Sequence, residues 1–253
     1  MKYLHQTFIY LFLFCASTAA AQDLSFVGAK APWLTGFFAK MDPDTSEFSA
    51  VGTWEILNNN GQSQFTLPMD LSVSAGSLRW EIDTTKIQPL PQEIRTAAKM
   101  LHTDTVAFLI KSGQKKVYMI YPGIQAYVAL PIPDSAFAEF NSQSDLIKLE
   151  KTELGTESVL GHPCIKTKVV LLEPNHPAQN GLLWCATDLQ GFAVQMELHA
   201  EQNIMRFTFS KVQIEKPAAK LFEIPKTYVA FTNAADLVRY SKEKLQSNSE
   251  NVP

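Results

Sequence analysis

Few residue spacings in this sequence match a reaction. Ser112-Gly113-Gln114-Lys115 and Ser241-Lys242-Glu243-Lys244 both satisfy S-x-x-K, and Tyr240 with Lys244 satisfies Y-x-x-x-K. A hydroxyl nucleophile activated by a lysine needs that spacing where it opens a buried helix. Here the first match falls in a hairpin-type turn, and the second lies on a helix face read as solvated. Cys164 and Cys185 together with His162 or His176 offer the elements of a Cys/His pair. His102, His162, His176 and His199 are scattered with none at i, i+4, so no zinc motif is formed. Asp42, Asp44 and Ser46 imitate the first ligands of a calcium loop, but Glu47 stands where the turning glycine belongs and Thr53 where the bidentate glutamate belongs. There is no glycine-rich dinucleotide fingerprint, no P-loop lysine and no G-x-S-x-G. The expectation is a protein that is not an enzyme, with no cofactor and no metal site.

A different constellation stands out. Trp54, Phe65, Leu67, Met69, Trp80, Met119, Tyr121, Met196, Phe207 and Phe209 all occupy the apolar phase of strand-like alternation. Paired in order, those strands bring the ten residues to one surface. Such a surface serves as a packed core, and a hollow lined by aromatics and flexible methionines also accommodates an acyl chain. These ten are the candidate ligand-binding residues.

The elements that position them follow from periodicity. Phe48, Ala50, Gly52, Trp54 and Ile56 share one face, against Ser49, Thr53 and Glu55 on the other. After Asn58-Asn59-Asn60-Gly61 the pattern resumes with Phe65, Leu67, Met69, Leu71 and Val73, and after Ala75-Gly76 with Leu78, Trp80 and Ile82. Ile94, Ala97, Ala98 and Leu101 predict one helix over 91–102. Strands are predicted at 105–111, 116–121 and 126–130, then a short helix capped by Asp134 and carrying Phe137 and Phe140. From 146 to 214 the pattern is strand-like, with breaks at Gly155, Gly161, the Glu173-Pro174-Asn175-His176-Pro177 turn, Gly191 and Glu201-Gln202-Asn203. Asn233 caps a final helix with Leu237, Val238, Ser241 and Leu245 along one side, followed by a frayed polar tail over 246–253. The tally is about nine to eleven strands and two or three helices. With so few helices, the apolar faces are covered most economically by a strongly curved antiparallel sheet. The predicted class is α+β, mainly β: an open half-barrel with a few helices over its concave face, as a single domain over 22–245.

Residues 1–21 carry Lys2, an apolar run from Phe8 to Cys15 and the small residues Ala19-Ala20-Ala21, the layout of a secretory signal cleaved after Ala21. The apolar run is shorter than the about 20 residues a bilayer requires. Phe14 before Cys15 argues against lipidation there, and no other apolar segment is long enough to span a membrane. The expected location is the periplasm or the outside of the cell. In that oxidising setting Cys164 and Cys185 are expected to form a disulfide, contributing about 3 kcal/mol in the chain-entropy model. The 253 residues are 46% hydrophobic and 19% charged, which is globular composition, and a net charge of -3 excludes a general nucleic-acid binder.

Several blocks together resemble a family. KVYMIYP at 116–122 running into QAYV at 125–128, LGTESVLGHPCIK at 154–166, LWCATDL at 183–189 and LFEIPKTY at 221–228 are similar, in order and spacing, to the LolA/LolB-like superfamily of periplasmic lipoprotein-carrier-like proteins. The resemblance is nearest to an uncharacterised branch of unknown-function domains and extends over 48–228. It implies an open antiparallel barrel whose hollow is closed by helices and, in characterised relatives, carries lipoprotein acyl chains between membranes. Those carriers have an arginine inside the cavity. Arg79 matches only loosely by position, and strand alternation puts it on the polar face. The function expected is binding of a lipid or other hydrophobic ligand, as a carrier or envelope accessory factor. The alternative is an envelope interaction module with a filled core and a protein partner.

Overall fold

In the computed structural model, residues 47–74, 76–111, 114–131, 148–172, 178–199 and 203–250 are described. The expected leader, the calcium-like Asp42, Asp44 and Ser46, the helix expected after Asp134 with Phe137 and Phe140, and residues 173–177 of the expected proline-rich turn lie outside these residues.

Asn58 shows how sequence sets the first hairpin. Its Oδ1 accepts from the backbone N–H of Asn60 and of Gln62, each at 2.9 Å, and Gly61 takes φ 76°. That turn joins β1 (Phe48–Asn58) to β2 (Ser63–Ser74), and β3 (Ser77–Asp83) pairs next. The helix α1 (Gln92–Met100) precedes β4 (Thr105–Lys111), β5 (Lys116–Tyr121) and β6 (Ala126–Pro131). A second meander follows with β7 (Lys148–Val159), β8 (His162–Leu172), β9 (Gln179–Ala186), β10 (Ala193–His199) and β11 (Asn203–Gln213). Last come β12 (Val229–Phe231) and α2 (Ala234–Glu250).

Among the described residues, twelve strands form one sheet in the order β12-β6-β5-β4-β3-β2-β1-β11-β10-β9-β8-β7. The two meanders join where β1 pairs antiparallel with β11, with Thr53 beside Thr208. The sheet is curved and stays open, with edges at β7 and β12. This is the mainly β half-barrel expected, with two α-helices among the described residues.

Three details differ from the expectation. β12 was not anticipated and runs parallel to β6, the exception in an otherwise antiparallel sheet. Gly155 does not break its strand: it sits at φ 130° beside a register shift between Glu153 and Gly155, so β7 bulges and continues to Val159. The last helix runs on to Glu250 instead of fraying after Gln246.

The cysteine bridge is also corrected. No disulfide joins Cys164 and Cys185. In the β8–β9 ladder Cys164 lies opposite Ala186 and Cys185 opposite Ile165. Directly opposed residues share a face and neighbours along a strand do not, so this one-residue offset sends the two side chains to opposite faces.

The two faces of the sheet are packed differently. The concave face, that of Trp54, Phe207 and Leu183, holds most of the main apolar cluster, and Cys164, Trp184 and Ala186 join it from the other face of β8 and β9. On the convex side, Ala107, Leu109 and Ile120 of β4 and β5 are buried beneath Phe222, with Leu221, Ile224 and Tyr228 of the chain before β12 packed around them. Arg79 lies on this convex side as its alternation predicts, donating to the Leu221 carbonyl at 3.3 Å and pairing with Glu81 at 2.7 Å. It straps that returning segment to β3.

Candidate ligand-binding face

Registry brings the ten stripe residues together in rows. Met196 of β10, Phe207 of β11, Trp54 of β1 and Leu67 of β2 are successive cross-strand partners. Phe209, Gly52 and Met69 form the adjacent row. Leu71, Trp80, Phe108, Met119 and Val128 form a third, reaching from β2 to β6. Phe65 opposes Ile56, and Tyr121 opposes Ala126. A glycine is required at 52: a Cβ there would stand 2.7 Å from Phe209 Cδ1 and 2.8 Å from the Thr208 carbonyl, so only glycine lets the Phe209 ring lie across β1.

The aromatic members touch. Trp54 stacks on Phe207 with centroids 5.9 Å apart and meets Phe65 edge-on at 5.7 Å and Trp80 at 6.3 Å. Trp80 continues to Phe108 at 6.2 Å. Phe209 belongs to a second group with Phe192 and Phe48. Nine of the ten are buried, none exposed above 7%, and Trp80 is half-buried. Offset and edge contacts of this kind contribute beyond the area they bury.

Phe48, Phe108 and Phe192 were not among the candidates. In β4 the run Val106-Ala107-Phe108-Leu109-Ile110 is buried on both faces, so period two carries no contrast that would assign Phe108 to a side. Phe192 precedes its strand, after the left-handed Gln190 and Gly191. Phe48 shares the alternating face of Trp54 in β1 and closes the ring group around Phe192.

Two helices attend this face. From α1 only Ile94 packs against the main cluster, and none of its residues is buried. Arg95 anchors it, donating to the Ile87 carbonyl at 3.0 Å, the Leu90 carbonyl at 3.2 Å and the Thr85 carbonyl. Helix α2 is capped as expected, with Asn233 Oδ1 accepting from the Asp236 N–H at 2.9 Å, and it inserts Leu237 into the cluster. Its Ser241, on the side of Leu237 as the spacing sets it and not solvated as expected of its S-x-x-K match, is buried and donates to the Leu101 carbonyl at 3.0 Å. Lys244 Nζ donates to the Ile124 carbonyl at 3.0 Å. The S-x-x-K match on α2 thus ties one helix to the end of the other, and Ser112 of the first match lies outside the described residues.

Cys164 is likewise structural. It is buried on the face it shares with Glu157 and Ala186, and its thiol donates to the His162 carbonyl at 3.4 Å. Burial pushes the thiol up, and the Asp188 and Glu157 carboxylates push it further, against a backbone hydrogen bond from Val159. A thiol held protonated is a poor nucleophile. His162 Nδ1 is instead paired with Asp188 Oδ2 at 2.9 Å. The Glu157 carboxyl is held below its usual range by a hydrogen bond from the Trp184 indole, against desolvation and with help from Lys166. Among the described residues no three His, Cys, Asp or Glu side chains gather as a metal site, and no helix is long and apolar enough to cross a membrane.

No family model and no curated protein matches the chain. Among solved structures it is similar to LprF from Mycobacterium bovis at 14% identity and TM-score 0.42, covering 78% of this chain and 97% of that one. It is similar to the Mycobacterium tuberculosis lipoprotein LppX at 9% identity and TM-score 0.42, covering 78% of this chain and 98% of that one. It is also similar to a LolA superfamily protein from Nitrosomonas europaea at 10% identity and TM-score 0.33, covering 77% of this chain and 97% of that one.

Proposed function

We propose that this protein is exported to the cell envelope and binds a lipid or other hydrophobic ligand on the concave face of its open sheet, as a carrier or accessory factor. The observation that carries this reading is the convergence of all ten aromatic, methionine and leucine candidates on that one face, in contact rows spanning β10 to β6. A folded sheet needs an apolar face, but it does not need one this rich in rings and thioethers, which repack around a guest at low cost. Because nine of the ten are covered, a ligand enters by displacing side chains and α1, which meets the cluster through Ile94 alone and is otherwise held by hydrogen bonds. Each CH₂ of an acyl chain buried there contributes about 0.8 kcal/mol. Native mass spectrometry with lipid extraction, on protein purified without detergent, is expected to show stoichiometric acyl species. A ligand-empty protein that also fails to take up a fluorescent fatty acid would overturn the reading.

A second reading has its own observation. β7 is an outer edge of the sheet, twelve residues long and exposed over nearly all its length, with Leu154 53% exposed and Leu160, in the turn that follows, 54%. An edge of that kind accepts an added strand from a partner. A pull-down yielding one saturable protein partner, lost with Leu154→Asp and with no lipid retained, would favour it.

A further inference from the structure

One member of the ligand face carries an unspent hydrogen bond. Trp80 sits on β3 between Leu71 and Phe108, with the Trp54 ring 6.3 Å away and the Phe108 ring 6.2 Å away. Its indole Nε1 is withdrawn from solvent and, among the described residues, meets no acceptor. The polar side chains flanking it along β3 point to the other face, where Arg79 and Glu81 satisfy each other at 2.7 Å. An indole N–H is a donor only, and burying it unmatched is unfavourable. A core built solely for stability would place leucine or phenylalanine here, keeping the packing without the penalty. Trp80 is also the stripe member left half-buried, so part of its ring is reachable while its donor is not.

We propose that Trp80 Nε1 is the polar anchor of the ligand face, donating to a carbonyl or carboxylate oxygen at the head of an acyl chain whose tail lies along the aromatic rows. The inference rests on the ligand-binding reading and deepens it by naming the chemistry selected: an acyl compound with an acceptor oxygen, in preference to a bare hydrocarbon or a head group that only donates. The hydrogen bond forms in the complex and is absent without it. Removing the donor therefore weakens binding without weakening the fold.

The test compares two probes on the full chain: cis-parinaric acid, an acyl chain with a carboxylate, and N-phenyl-1-naphthylamine, an apolar dye without oxygen. Trp80→Phe keeps an aromatic ring and deletes the N–H. The expected result is affinity for parinaric acid reduced roughly tenfold, with the dye unchanged and the melting temperature equal or higher. Equal loss for both probes, or no loss for either, overturns the anchor while leaving the ligand face intact. Failure of the wild-type chain to bind either probe overturns the face itself. Should Trp80→Phe fail to fold, the wild-type indole ¹⁵N–¹H resonance of Trp80 decides. It should move downfield with parinaric acid and not with the dye, and an indifferent resonance overturns the anchor.

Discussion

At the scale of single residues, hydrogen-bonding side chains hold the chain where it leaves the sheet. Asp83 closes β3 by accepting from the Thr85 N–H at 3.0 Å and from its hydroxyl at 2.6 Å, with Lys86 Nζ at 3.1 Å. Burial alone would raise its carboxyl, but the bonds from Thr85 and Lys86 outweigh that and lower it below the usual range. A carboxylate depressed on folding contributes stability that is complete above its unfolded value, about 3.9, and is lost as pH falls through the lower folded value. Asp83→Asn is therefore expected to lower the melting temperature near neutral pH, and the gap from wild type should close under acid. Its size should stay below about 1 kcal/mol, because the charges are partly exposed and screened. Thermal melts between pH 7 and pH 2 check this, and a gap that widens toward acid would contradict it. The same scale explains the cysteines: compartment and count suggested a bridge, and a one-residue offset in the β8–β9 register, which no local pattern encodes, forbids it.

At the scale of elements, β1, β2 and β3 were legible because each alternates, and the helix start at Asn233 because a capping side chain acts on its own neighbours. What the sequence concealed depends on distant partners. β12 has three residues and exists because β6 offers an edge, with Val229 beside Ala126. Phe108 was hidden because both faces of β4 are covered, one of them by Phe222 from far along the chain. Alternation assigns the ten stripe residues the face they share, whereas the coupling of α1 to α2 through Ser241 is not legible, since helical spacing sets Ser241 beside Leu237 but names no distant carbonyl for it. Ser241→Ala deletes the donor and leaves the Leu101 carbonyl unmatched, at a cost of about 1 kcal/mol. Hydrogen exchange should quicken in α1 and the turn after it while β1 and β2 keep their protection. Uniform quickening across the molecule would show that α1 is not a separable cover.

At the scale of the whole molecule, stability should grade from the middle of the sheet outward. β1 is flanked by β2 and β11 over nearly its full length, whereas β7 has one neighbour and exposed side chains. Native-state exchange should find the β7–β8 hairpin opening at the lowest free energy of the paired strands and β1–β2 at the highest. Protection in β7 equal to that in β1 would mean its outer edge is covered. The join between the meanders has a further consequence, for the making of the chain. β1 is synthesised first among the described strands, yet its second neighbour, β11, follows only after nine others of them have been made. Throughout that interval an apolar ribbon of Phe48, Trp54 and their neighbours has an unclaimed flank, and closing so distant a pair is intrinsically slow. A nascent chain of this topology is a natural client for a holding chaperone, and the stretch such a helper should grip is β1.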